Sequence, residues 1–250
     1  MSSKVSNLVE LLDSFKENIL CDHTPLMWTH LLKLKELKQE HGQVIRLDII
    51  LDNCAIELAS DLVFCDFLLR NDFVHAVHLH PKAYQWFVSD VCESDFELLL
   101  KQLSADNSLA VNKFVSRLKA YMSDGRMVLE RAHKFWTSPY DFSEMGRVAP
   151  DLYSVLKESS SFLLIKGDLN YRKLIGDLNW PYDTPLSRAV RDFRPVSFCA
   201  VRTCKADLLA NLDMNCETNR NYAKLLKTYP PSDNKWMNTG DYGVIQFVQF

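Results

Sequence analysis

Between residues 44 and 69 the spacing of apolar positions changes period. Val44, Ile45, Leu47, Ile49, Ile50 and Leu51 form a short run rich in β-branched residues, as expected of a strand covered on both faces. Asp52 and Asn53 interrupt it, and Ile56, Leu58, Leu62, Val63, Phe67 and Leu69 then recur at helical spacing. Strand, acidic pair, helix is the order in which an α/β sheet presents polar groups to a ligand at a strand's carboxyl end. Asp52 has two readings there. It is a helix cap, the commoner role of Asp and Asn, or it meets a cation or donors, because burying an unpaired carboxylate is costly.

The same patterning extends along the chain. Residues 4–20 read as an amphipathic helix, and after Pro25 residues 26–37 read as a second. Both lie outside the α/β repeat, which divides the chain into a helical appendage, 1–40, and an α/β domain, 41–250. Residues 74–79 predict a strand on which His78 and His80 share a face. A metal site is weighed there, but no third ligand stands at a telling distance, and surface histidines on an edge are the better reading. Residues 86–90, WFVSD, are a second strand-like run ending in an acid, Asp90. Helix follows over 95–103 and 109–134, with a break at 123–125. Residues 136–150 form a loop and 151–159 a short helix.

The strand expected at 162–165 runs into KGDLNYRKL, where Lys166, Asp168, Asn170, Arg172 and Lys173 crowd beside Gly167. Glycine lets the backbone approach a ligand closely, and arginine suits phosphate geometry. An ordinary charged turn and a phosphate site are equally weighted. A strand over 195–201 ends in Arg202, Thr203 and Lys205, a helix is expected over 205–228, and a strand over 242–250 closes the sheet. The pattern predicts a three-layer α/β/α fold with a mainly parallel sheet and a short helical N-terminal appendage.

Composition narrows the chemistry. A net charge of −3 gives no general pull toward nucleic acid or acidic membranes, and no apolar run is long enough to span a bilayer. The first residues lack a basic start followed by an apolar core, so no signal peptide is expected. The seven cysteines include no CxxC pair, which fits reduced thiols in the cytoplasm or nucleus. Neither a Walker loop nor a GxGxxG turn follows any predicted strand. Acidic strand ends that would hold a divalent cation, beside basic ones that would hold phosphate, are the inventory of metal-assisted phosphate ester chemistry.

These motifs resemble those of the metal-dependent damage-control phosphatases, in the subfamily also described as acidic residue methyltransferases. LDNCAIEL (51–58), WFVSD (86–90), FWTSP (135–139), VAPDLY (148–153), KGDLNYRKL (166–174), RTCK (202–205) and TGDYG (239–243) stand in family order. The resemblance implies that Asp52, Asn53 and Asp90 hold a divalent cation and carry catalysis. It implies that Asp52, Asn53, Asp168, Leu169, Asn170, Tyr171, Arg172 and Lys205 meet a phosphosugar such as fructose 1-phosphate or fructose 6-phosphate. Mn²⁺, Co²⁺ or Ni²⁺ are the implied activators, with Mg²⁺ less favoured. Either a metal-activated water or Asp52 is the nucleophile. The alternatives are S-adenosylmethionine-dependent methylation of protein glutamates, for which no glycine-rich loop is found, and a non-catalytic interaction module.

Two departures from the family carry expectations. Ala55 stands where the family usually has glycine, which implies a constricted site or a shifted helix start. The family also carries a large helical N-terminal domain, of which residues 1–40 resemble the end. The apolar stripes at Leu8, Leu12, Phe15 and Ile19, and at Leu31, Leu34 and Leu37, are then expected either to fold back on the core or to pair with another copy, giving self-association.

Overall fold

A computed structural model describes residues 10–11, 13–230 and 233–250. One seven-stranded sheet organises them. Its strands are β1 (Ile19–Asp22), β2 (Arg46–Ile50), β3 (Ala76–His80), β4 (Met127–Leu129), β5 (Phe162–Lys166), β6 (Phe198–Thr203) and β7 (Gly243–Val248). Their order across the sheet is β1-β7-β6-β5-β2-β3-β4, parallel throughout except for the antiparallel pair β6 and β7. The helices that flank it include α1 (Thr24–His41), α2 (Ile56–Arg70), α3 (Glu93–Ser104), α4 (Leu109–Ser123), α5 (Pro150–Ser159), α6 (Asp168–Leu174) and α7 (Arg220–Thr228).

Alternation along the central strands sorts side chains into two cores. Leu47, Ile49 and Leu51 of the β2 segment join Leu58, Leu62, Cys65 and Leu68 of α2 on one face. Ile50, Leu163 and Ile165 join Phe135, Trp136, Phe142 and Leu156 on the other. Successive strand residues point to opposite faces, so a run that is apolar at every position is what a doubly covered strand requires. The three-layer α/β/α architecture and its mainly parallel sheet follow from this. All seven cysteines are free, and no helix among the described residues is long and apolar enough to cross a membrane.

The chain leaves β2 in one direction, to β3 and β4, then returns to lay β5 and β6 on the other side of β2. The reversal falls between β2 and β5, whose carboxyl ends lie side by side through the register Ile50↔Ile165. Open α/β sheets bind ligands in the crevice at such a point.

Several expected elements differ in the structure. Ile19 and Leu20, expected at the end of a helix, belong to the edge strand β1, and Leu31 and Leu34 of α1 are buried in the core beneath β2. Ile19–Asp22 is thus a strand of the sheet and Thr24–His41 a helix of one outer layer. Leu37 packs against the same core and Phe15 is exposed, while Leu8 and Leu12 lie outside the described residues. Residues 86–90 are turns; Asp90 meets Asn53 through one isolated antiparallel bridge. The helix expected to reach residue 134 stops at Ser123, and Met127–Leu129 pairs with β3.

Residues 205–216 are irregular, and helix is confined to α7 in that region. Leu208, Leu209, Ala210 and Leu212 are nonetheless buried. Side chains satisfy their carbonyls in place of a helical ladder: Arg202 donates to Leu208 O and Ala206 O, and Gln246 donates to Ala210 O. The last strand does not close the sheet, because β7 sits between β6 and β1.

The histidines of β3 are likewise not on a surface edge. His80 is buried with its Nε2 2.7 Å from Asp48 Oδ1, and His78 Nδ1 lies 2.6 Å from Glu130 Oε1. Arg46 and Ser160 also donate to Asp48, which is fully buried. Burial alone would raise the Asp48 carboxyl, but hydrogen bonds from His80 and Arg46 hold it down at about 2. This network satisfies a buried anion at the centre of the sheet.

Candidate functional site

Four parallel strands deliver polar residues to one edge of the sheet: Asp52 and Asn53 beyond β2, Lys82 beyond β3, Gly167 and Asp168 beyond β5, Lys205 beyond β6. Asp52 is buried at the reversal point. Asn53 Nδ2 donates to its Oδ2 at 2.7 Å and to Glu57 Oε2 at 2.8 Å. Ser89 Oγ donates to Asn53 Oδ1 at 2.6 Å, and the Cys54 and Val91 amides bond Ser89 O and Asp52 O. The 86–90 turn is thereby fixed against the end of β2.

Asp90 is fully buried. Its Oδ2 accepts from the Trp86 and Phe87 amides at 3.0 and 2.9 Å, while its Oδ1 has no hydrogen-bond partner among the described residues. A buried polar atom without a partner calls for an explanation. Asp90, the Asp52 carboxylate and the Asn53 amide form a set of hard oxygen donors, which is the chemistry divalent cations accept. No group of three or more His, Cys, Asp or Glu residues arranged to hold a metal occurs among the described residues; the candidate set is two carboxylates and an amide.

Gly167 explains how the site closes. Its φ is +89°, and a side chain there would overlap the Asp52 carboxylate. Only glycine combines that backbone conformation with so close an approach. Ala55, by contrast, has φ +57° and ψ −123°, a region costly for any residue with a Cβ. It is exposed, and α2 still begins at Ile56. What alanine adds at this exposed position is backbone strain.

Two adjoining cavities of about 180 and 370 Å³ open at this edge, sharing Asp52, Asn53, Asp168 and Lys205. The first is completed by Glu57, Lys166, Gly167, Val201 and Thr203, the second by Phe87, Ser89, Leu169 and Arg172. Lys205 is exposed and enters no ion pair among the described residues. The other basic groups are engaged. Lys166 Nζ lies 2.7 Å from Asp61 and 3.1 Å from Glu57, and Arg172 pairs with Asp177 at 2.8 Å. Burial would lower the Lys166 ammonium, but Asp61 and Glu57 outweigh it and leave it raised.

The DLNYR segment divides between two directions. Asp168, Leu169 and Arg172 line the cavities. Asp168 Oδ1 also accepts from Arg202 Nε at 2.7 Å and from the Lys205 amide at 3.2 Å, holding the β6 end in place. Asn170 and Tyr171 are buried. Asn170 donates to Leu51 O and Lys166 O, and Tyr171 donates to Gln246.

Two residues were not singled out by sequence. Lys82 is buried and donates to Asn170 Oδ1. Burial pushes its ammonium down to about 8, although Asp52 and Asp90 oppose the shift. A lysine two residues past a parallel strand was the available signal. Glu57 shares the Asn53 amide, and its position four residues after Asn53 at a helix start was the cue.

Three outcomes follow. Ala55→Gly should stabilise the chain by about 1 kcal/mol, read by denaturant unfolding. Gly167→Ala should displace the Asp52 carboxylate; unchanged divalent-cation binding by calorimetry would contradict this placement. The third concerns pH. Burial pushes the Asp52 carboxyl up to about 7 from an ordinary 3.8, with Glu57 and Asp90 adding to the rise and Lys82 and Lys205 opposing it. The folded chain then holds a proton that the unfolded chain has released, so this contribution to stability is present below about pH 4 and is lost as pH rises through about 7. Asp52→Asn should remove that fall, a slope of up to about 1.4 kcal/mol per pH unit, in unfolding curves taken without added divalent cation.

Comparison with known proteins agrees with the motif order. The damage-control phosphatase ARMT1-like domain matches residues 2–220. Damage-control phosphatase ARMT1 of Mus musculus is 38% identical over 246 residues, 98% of this chain and 53% of the relative. The proteins of the same name from Rattus norvegicus and Danio rerio are each 37% identical over 246 residues, covering 53% and 52% of their lengths. The chain spans about half the length of the curated relatives it matches. With the matched domain covering most of its length, the chain belongs to the damage-control phosphatase ARMT1-like family.

Proposed function

We propose that this chain is a metal-dependent phosphatase acting on phosphosugars such as fructose 1-phosphate and fructose 6-phosphate. The observation that carries the reading is the buried Oδ1 of Asp90, without a hydrogen-bond partner among the described residues, beside Asn53, which with Asp52 lines a cavity edged by Lys205. The names of the relatives support the phosphatase class.

Asp52, Asn53 and Asp90 would hold the cation, with Mn²⁺, Co²⁺ or Ni²⁺ the proposed activators. When bound, it would supply Lewis-acid polarisation of a phosphoryl oxygen and a lowered pKa for an attacking water. The residues do the rest. Lys205 brings an ammonium to the mouth of both cavities, where it neutralises phosphate charge. Lys166, held by Glu57 and Asp61, lines the inner wall. Asp52 must lose its proton to bind a cation or to attack phosphorus, and the positive charges of Lys82 and Lys205 favour that ionisation. Asp168 keeps Lys205 in register by binding its amide, and Gly167 leaves room for the Asp52 carboxylate.

The experiment is phosphate release from a panel of phosphosugars, with and without Mn²⁺, Co²⁺ and Ni²⁺. Metal-stimulated release from the wild type should disappear in Asp90→Ala. Lys205→Ala should lose roughly 1.5–3 kcal/mol of kcat/KM, chiefly through KM. Full activity of Asp90→Ala at subsaturating metal would overturn the reading, as would a wild type that no divalent cation activates.

A further inference from the structure

The crevice beyond Asp52 does not end at Lys205. A third cavity of about 340 Å³ continues from the second and shares Phe87, Leu169 and Arg172 with it. The three form a series: an inner compartment at Asp52 and Gly167, a middle one at Ser89 and Arg172, and an outer one bounded by Trp86, Phe87 and Pro139.

The outer compartment is apolar in what it still offers. Each charged group on its wall has a partner: Arg172 is paired with Asp177, Asp141 with Arg191, and Lys173 donates to the carbonyls of Phe135 and Trp136. What remains are the rings of Trp86 and Phe87, 41% and 43% exposed, with Pro139 and Leu169. The backbone that carries these rings is held firmly, because the amides of the same two residues bind the buried Asp90 carboxylate. Two large rings kept at the surface on a backbone anchored to the site, at the end of a crevice that starts at the candidate phosphate position, suit a flat, uncharged ring of the substrate. Aromatic side chains stack on such rings without regard to their substituents. With its own charges matched, the compartment offers no free cation to a second phosphate.

We propose that the outer compartment is a subsite for a planar ring carried on the sugar's far side from the phosphate, so that a sugar phosphate bearing such a ring, of the nucleoside monophosphate type, binds tighter than the same sugar phosphate without it. The phosphate's position in this series rests on the phosphatase reading above; the ring subsite itself rests on Trp86, Phe87 and the cavity they bound. The phosphate lies by Asp52 and Lys205, the sugar by Ser89, Asp168 and Arg172, and the ring against Trp86 and Phe87.

Adenosine 5′-monophosphate and ribose 5-phosphate differ by the ring alone and serve as probes. Their binding is measured by calorimetry on the full chain with no divalent cation added, so that neither turns over. The nucleotide should bind about tenfold tighter or more than ribose 5-phosphate. Trp86→Ala should erase most of that advantage and leave the affinity for ribose 5-phosphate within about twofold, while Trp86→Phe, which keeps a ring, should retain most of it. Equal affinities in the wild type, no detectable nucleotide binding, or a Trp86→Ala loss that falls equally on both ligands would each overturn the subsite. Failure of the phosphatase reading shows separately, as no phosphate release from fructose 1-phosphate, fructose 6-phosphate or either probe with any metal, and leaves the binding comparison to judge the subsite by itself.

Discussion

The site depends on burying one carboxylate where two neighbouring strands end. Asp52 occupies the point at which the chain reverses its direction across the sheet, and the Gly167 backbone packs so closely on it that no side chain fits there. Burial makes ionisation of Asp52 costly, and the surroundings answer that cost from several directions. Asn53 donates to it, and Lys82 and Lys205 oppose the rise in its pKa. Glu57 and Asp90 act in the opposite sense.

The same few hydrogen bonds hold the edge of the sheet together. Lys82 bonds Asn170, and Asn170 bonds the last carbonyls of the β2 and β5 segments, so three strand ends are joined through one buried amide. Asp168 links α6 to the β6 end through Arg202 and the Lys205 amide. Asn53, Ser89 and Asp90 secure the 86–90 turn. The DLNYR segment therefore both lines the crevice and braces it: Asp168, Leu169 and Arg172 face the cavity, while Asn170 and Tyr171 face the interior. These hydrogen bonds tie the strand ends to one another, which fixes the backbone at Asp52 relative to that at Lys205.

A separate network beneath α5 has a different role. Asp48 is matched there by donors from His80, Arg46 and Ser160, and Arg46 also reaches Glu130, the partner of His78. Each of the two histidines has one ring nitrogen engaged by a carboxylate of this network. Two histidines at alternate positions of one strand can suggest a metal until their partners are known.

Local pattern sufficed for the central elements. The change of period at residues 51–56 marks where β2 stops and α2 begins, and it exposes Asp52 and Asn53 as the residues at the junction. Gly167 and Lys205 are marked in the same way, each just past the end of a buried apolar run. Period and strand-end position are encoded by neighbours in sequence, so they can be read without a structure. Partner choice is not. Lys82 meets Asn170 across 88 residues and Arg202 meets Asp168 across 34, and nothing near any of them in sequence announces the pairing. For the same reason Arg172 could be seen as a basic group at a strand end, but not as the partner of Asp177. Residues 205–216 looked helical because their apolar spacing allowed it. The packed chain left them irregular because the side chains of Arg202 and Gln246 satisfy carbonyls that a helix would otherwise have used. Sequence determined which residues stand at the strand ends; the tertiary structure decided which of their charges are matched by distant groups and which, like Lys205, stand at the crevice unpaired among the described residues.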